Sequence, residues 1–178
     1  MSHRARMLVL LVAILAMPAA AFAGSITGVE GTLNTVFQKD QTSFSGIGMR
    51  LHMRAPGNIT GLSLVPTIQY WNNHSTFSSF GITSSRSDAT LGIESRYAFT
   101  GVQLQPYFGL GYGLHFLSSE VTAPGVNGSD SVTKGAMSLL GGISVPLAGS
   151  LQNDFGAQYD FMGDGSQFKL NWGFRYSF

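Results

Sequence analysis

The last eleven residues of the chain, Phe168–Phe178, alternate without a break. Phe168, Leu170, Trp172, Phe174, Tyr176 and Phe178 are apolar or aromatic, whereas Lys169, Asn171, Gly173, Arg175 and Ser177 are polar, charged or glycine. Successive side chains of a strand point to opposite faces. The pattern therefore describes a strand with one face in an apolar medium and the other in a polar one. About 9–11 residues is the length a tilted strand needs to cross a bilayer.

The amino terminus points to export. Arg4 and Arg6 precede an uninterrupted apolar run, Leu8–Met17, which Pro18 ends, and Ala21 and Ala23 supply the small residues of a cleavage site. This predicts a secretory signal peptide over residues 1–23 and one exported domain over 24–178. The apolar run is shorter than the roughly 18–20 residues of a transmembrane helix, and no second long run follows. The chain has no Cys, so disulfides, thiolate metal sites and Cys catalysis are excluded. Charged residues make up 11% and aromatics 12%, a balance that suits a surface facing lipid better than a soluble exported domain. Ten Lys and Arg against nine Asp and Glu leave no basic field to recruit nucleic acid.

The alternation recurs upstream, with turn residues between the segments. Strands are predicted over about 25–37, 42–54, 61–71, 87–99, 103–117, 134–147, 151–161 and 168–178. In the second, Ile47, Met49, Leu51 and Met53 should face outward and Arg50, His52 and Arg54 inward. Ala55-Pro56-Gly57-Asn58, Thr100-Gly101 and Ala148-Gly149-Ser150 are tight turns. Asn72–Arg86 and Ser118–Thr133 read as two long polar loops at the opposite end. The expected fold is an all-β, eight-stranded antiparallel up-and-down transmembrane β-barrel. Closure is required because an open strand edge in lipid leaves backbone groups unpaired. A soluble calyx has the same period with its faces exchanged. The terminal Phe, the aromatics near strand ends and the charges on the polar face favour lipid outside.

With this terminus and strand pattern, the chain resembles the small eight-stranded outer-membrane barrels of Gram-negative bacteria, the OmpA/OmpX-type transmembrane domains. The resemblance implies a cell outer-membrane location and a monomeric barrel in contact with outer-membrane lipid and lipopolysaccharide. It also implies that Trp172, Phe174, Tyr176 and Phe178 form the insertion signal read by the barrel-assembly machinery.

With lipid outside, the lumen receives Glu30, Arg50, His52, Glu94, Arg96, Asp154, Asp160, Lys169 and Arg175. Buried charges must pair. One register about the Met162–Ser166 loop would set Asp160 opposite Lys169 and Asp154 opposite Arg175. Glu30 should face Arg50 across the first hairpin and Arg175 across the closing seam. On the fifth strand Gly109, Gly111 and Gly113 are successive inward positions flanked by Tyr107 and His115. Either they accept a bulky neighbour such as Trp71, or they leave a lumen cavity. Their spacing does not fit a nucleotide fingerprint.

No catalytic residue is assigned. His74, Ser75 and a nearby Asp88 are neighbours in a polar stretch without a nucleophile–base–orienter arrangement, and no enzyme motif is present. No metal-ligand spacing is found, and no cofactor is expected. The expected role is non-enzymatic: envelope structure or surface interaction through the long loops, with Phe77, Phe80 and Ile82 exposed toward an extracellular ligand of unspecified identity. The alternative is a small channel or carrier for ions or apolar solutes. A lipid A-modifying enzyme ranks below both.

Overall fold

In a computed structural model, the structure describes residues 26–39, 43–57, 59–77, 81–163 and 165–178. The expected signal peptide lies outside the described residues, as do Phe80 and the side chain of Phe77.

Eight strands run in chain order: β1 Ile26–Gln38, β2 Phe44–Arg54, β3 Leu62–Phe77, β4 Ile82–Ala98, β5 Gln105–Ala123, β6 Val126–Ala148, β7 Leu151–Phe161 and β8 Gln167–Ser177. Each pairs antiparallel with its sequence neighbours, and β1 pairs with β8 from Gly28↔Ser177 to Gln38↔Gln167, so the sheet is a closed barrel. Closure gives every wall strand two partners, which is what a hydrocarbon environment demands of a sheet.

The wall is inside out relative to a water-soluble barrel. Ile47 and Met49 are 61% and 62% exposed on the exterior, while Glu30, Asp160 and Lys169 are 0% exposed in the lumen. Such a surface is stable only where the surrounding solvent is hydrocarbon. The soluble-calyx alternative is thereby excluded.

Two features depart from the sequence reading. The β1–β2 ladder shifts register between Ile26 and Gly28. Next to this irregularity the alternation of β2 breaks, so Met53 is buried and Arg54 exposed, the reverse of expectation. The two stretches read as long loops are also largely strand. β3 and β4 stay paired to Phe77↔Ile82, β4 and β5 to Thr83↔Thr122, and β5 and β6 to Ala123↔Val126. The β5–β6 hairpin turns through Pro124 and Gly125, the latter at φ +79°. By contrast, β2 leaves β3 at Gly46↔Trp71 and β7 leaves β6 at Met137↔Phe161. A four-stranded sheet, β3 to β6, therefore projects beyond the barrel wall. Both of its faces lie outside the apolar belt, so its sequence loses the apolar alternation that marks a membrane strand. Thr and Val residues such as Val121, Thr122, Val132 and Thr133 retain the strand preference.

Replacing Met49 at the middle of β2 by Arg should lower stability by about 2–4 kcal/mol, the cost of a cation at mid-depth on a lipid-facing wall. Asn127→Arg on the projecting hairpin should change it by less than about 0.5 kcal/mol. Urea unfolding of the barrel in lipid vesicles reads both values.

Candidate functional site: the lumen and its rim

Inward positions are odd on β3, β5 and most of β8, and even on β1, β2, β4, β6 and most of β7. They bring two polar clusters into the lumen. The first lies toward the chain termini and is centred on Glu30. Arg50 Nη1 donates to Glu30 Oε1 at 3.0 Å, and His52 Nε2 lies 2.7 Å from Oε2. Arg96 Nη1 stands 3.7 Å from the same carboxylate. Arg96 also grips Glu94 Oε2 through Nε at 2.8 Å and Nη2 at 2.7 Å, and Arg50 Nε is 3.6 Å from Glu94 Oε1. Arg175 Nη1 donates to His52 Nδ1 at 3.2 Å. Because a guanidinium can only donate, His52 accepts at Nδ1 and presents its Nε2–H to Glu30.

The second cluster lies toward the projecting sheet. Lys169 Nζ is 2.7 Å from Asp160 Oδ2 and donates to Gln69 Oε1 at 2.9 Å. Ser138 and Gln158 donate to Asp160 Oδ1 at 2.6 and 2.7 Å. His115 bridges to the fully buried Asp88, its Nδ1 2.6 Å from Oδ2, with its Nε2 3.9 Å from Asp160. Gln167 Nε2 also reaches Asp88.

The lumen pairs are set by a register different from the expected one. Across β7–β8, Asp160 faces Gln167 and Asp154 faces Gly173, two residues away from the predicted alignment. Lys169 and Arg175 still reach Asp160 and Asp154, the latter at 3.5 Å, because they are diagonal neighbours on one face. Glu30 stands opposite both Arg50 and Arg175. Arg175, however, turns to His52, Gln152 and Asp154 rather than to Glu30.

The glycine strip of β5 is filled, and Trp71 is not the residue that fills it. A Cβ at Gly111 would lie 3.3 Å from Glu94 Cγ and from Ser138 Cβ, and one at Gly113 would lie 3.3 Å from Thr90 Cγ2. Leu140 Cδ1 plays the same part beside Gly109, at 3.1 Å. What remains next to the strip is a void of about 10 Å³, about the least that holds a water. Trp71 packs higher, against Phe44 at a ring-centroid distance of 4.3 Å, with Val36 and Leu117 alongside. Tyr107 lies under the Arg96 guanidinium at 5.0 Å. A Cβ at Gly142 would come within 2.6 Å of the Tyr107 hydroxyl, so that ring depends on a glycine facing it.

Asp88 is far from the environment sequence reasoning gave it. It is buried with His115, whereas the His74 side chain is exposed and meets Thr76 at 3.4 Å. The available signal was parity, since Asp88 shares the inward set of Thr90, Glu94 and Arg96 on β4. Ser138, Gln158, Gln167 and Gln69 complete the cluster without a signal in the sequence, because uncharged polar residues carry no pairing demand visible there.

Chemically, the cluster is poorly arranged for a proton relay. Asp88 and the Thr90 hydroxyl converge on the same His115 nitrogen, at 2.6 and 3.0 Å. A nucleophile–base–orienter relay uses the two different ring nitrogens. Among the described residues, no group of three or more His, Cys, Asp or Glu is placed to hold a metal ion. At the rim, Ile82 is half-buried near the tip of the β3–β4 hairpin. The terminal aromatics Trp172, Phe174, Tyr176 and Phe178 all lie on the exterior, 43–76% exposed.

Glu30→Ala should destabilise the barrel by about 3–5 kcal/mol, because it leaves buried guanidinium groups without their counter-charge. Lys169→Met should cost a similar amount through Asp160. Denaturant titrations in lipid vesicles check both, with the exposed Arg54→Ala as a control expected to stay within about 0.5 kcal/mol.

No family model and no curated protein matches the chain. Solved structures do. Neisserial surface protein A is 20% identical with a TM-score of 0.61, over 85% of this chain and 96% of that one. The attachment invasion locus protein Ail of Yersinia pestis is 12% identical with a TM-score of 0.62, over 86% and 97%. The N-terminal β-barrel domain of Pseudomonas aeruginosa OprF is 12% identical with a TM-score of 0.54, over 86% and 99%. At these identities the likeness is one of fold: the chain is built as a small eight-stranded outer-membrane β-barrel.

Proposed function

We propose that this chain resides in the outer membrane and acts through its projecting β3–β6 sheet as a surface-interaction protein, without catalysis or conduction of its own. The observation that carries this reading is the extension of four strands past the points where β2 and β7 end. A barrel whose only task is to span needs no such sheet. The rows of the extension are rich in hydroxyl and amide side chains, and Val121, Val126 and Val132 stand exposed on it. Polar surface with scattered apolar anchors is the composition of a transient contact surface. The structurally similar Ail is named for attachment and invasion and has been crystallised with a heparin analogue, sucrose octasulfate. This supports a binding role for a barrel of such a fold.

The lumen speaks against the channel alternative. Its charges are interlocked across strands, and the void beside the glycines, about 10 Å³, is no path.

Bacteria displaying the wild-type chain should be retained on an epithelial cell layer. Replacing residues 119–130 by a two-residue turn should reduce retention to the level of cells without the protein, with the barrel still folded. Removing Phe77–Ile82 should weaken it as well. Undiminished retention by both shortened chains would show that the projecting sheet is not the contact surface. Cleavage of the β5–β6 hairpin by protease added to intact cells independently reports which end faces outward.

A further inference from the structure

The exterior wall carries a groove of about 780 Å³ that crosses β7, β8, β1, β2 and β3 just below the hairpin end of the barrel. Its depth comes from small residues. Thr35 and Ser45 face each other across β1 and β2, both exposed, one step before the ladder ends at Val36↔Phe44. The next outward row toward the turn end is large: Trp172, Leu33, Ile47 and Tyr70 stand side by side on four consecutive strands. All four are between 43% and 61% exposed. The volume is in the range of small-molecule sites, about 300–1,000 Å³.

We infer that this groove binds the acyl portion of one outer-leaflet lipid of the lipid A class. The apolar row takes a hydrocarbon chain. Thr35 and Ser45 form the outward row one step nearer the hairpin end, where the inferred chain would join its polar head. Among the described residues no hydrogen bond joins either hydroxyl to another side chain, and a hydroxyl left unpaired at the edge of an apolar surface is costly. Each hydroxyl both donates and accepts. Its complement is a group that also does both, such as the amide linkages and 3-hydroxyl groups of lipid A chains. A phospholipid ester only accepts. Trp172 Nε1 is already committed to Asn153 Oδ1 at 2.7 Å, which holds the indole as a fixed wall of the groove.

The choice of lipid rests on the outer-membrane placement proposed above, with the hairpin end in the outer leaflet. The binding test is made on the purified full chain in detergent and is independent of that placement. Native mass spectrometry is run with hexa-acylated lipid A and dioleoylphosphatidylethanolamine at equal mole fraction. The wild-type chain should retain one lipid A in preference to the phospholipid. Ser45→Phe, which fills the groove, should cut retention by about tenfold. Met137→Phe, on the opposite side of the barrel, should leave it unchanged, with circular dichroism verifying the fold of each variant. Thr35→Val, which keeps the groove and removes one hydroxyl, should lower retention of lipid A but not of the phospholipid. Equal retention of the two lipids by the wild-type chain would overturn the assignment. So would undiminished lipid A on folded Ser45→Phe, or a dimer lost in that variant, which would make the groove an interface between copies. Protease accessibility on intact cells reads the orientation separately, so a failed placement and a failed lipid site give different results.

Discussion

The structure depends on a carboxylate at the seam where the barrel closes. Glu30 sits on β1, the strand that pairs with both β2 and β8, and it stands opposite an arginine on each side. Arg50, His52 and Arg96 converge on it from β2 and β4, so a single buried anion ties together strands that are not neighbours. A closed ring of backbone hydrogen bonds is compulsory in hydrocarbon but says little about which residues fill its centre. The charges do. Burying them is favourable only when each is met by partners, and the arrangement that meets them also fixes the side chains of the lumen.

The same demand makes the interior solid. Glu94 and Thr90 lean onto Gly111 and Gly113, Tyr107 passes beneath Arg96 to lie over Gly142, and the second cluster locks Lys169 and His115 between Asp160 and Asp88. Above them Phe44, Trp71 and Val36 form an apolar cap. With its centre filled in this way, the molecule leaves two surfaces for the contacts proposed above: the projecting sheet and the lipid-facing wall.

Much of this was legible in the chain because a membrane wall imposes a rule on every second residue. Phe168–Phe178 shows the rule in full, and each of the eight strands was found from it. The rule lapses where both faces of a strand leave the apolar belt, and there the reading failed. Residues such as His74–Thr76 and Ser118–Thr133 form ladders that look like loops, because water on both sides removes the alternation. Register was the second weak point. Asp160 and Lys169 do meet, but as diagonal neighbours, since a long ammonium side chain can reach a carboxylate from more than one alignment. Parity placed Glu30, Arg50, Glu94 and Arg96 in the lumen. Parity places Asp88 inward as well, but its pairing is hidden, because its partner His115 lies on the next strand, 27 residues away in sequence.

Packed, paired side chains close the lumen, and the proposed function therefore rests on the exterior of the barrel. Single-channel recording of the folded chain in planar bilayers is the test of that closure. A silent membrane around a correctly folded barrel is expected. Discrete openings that disappear in Gly111→Trp would place a conducting path along the glycine strip and contradict it.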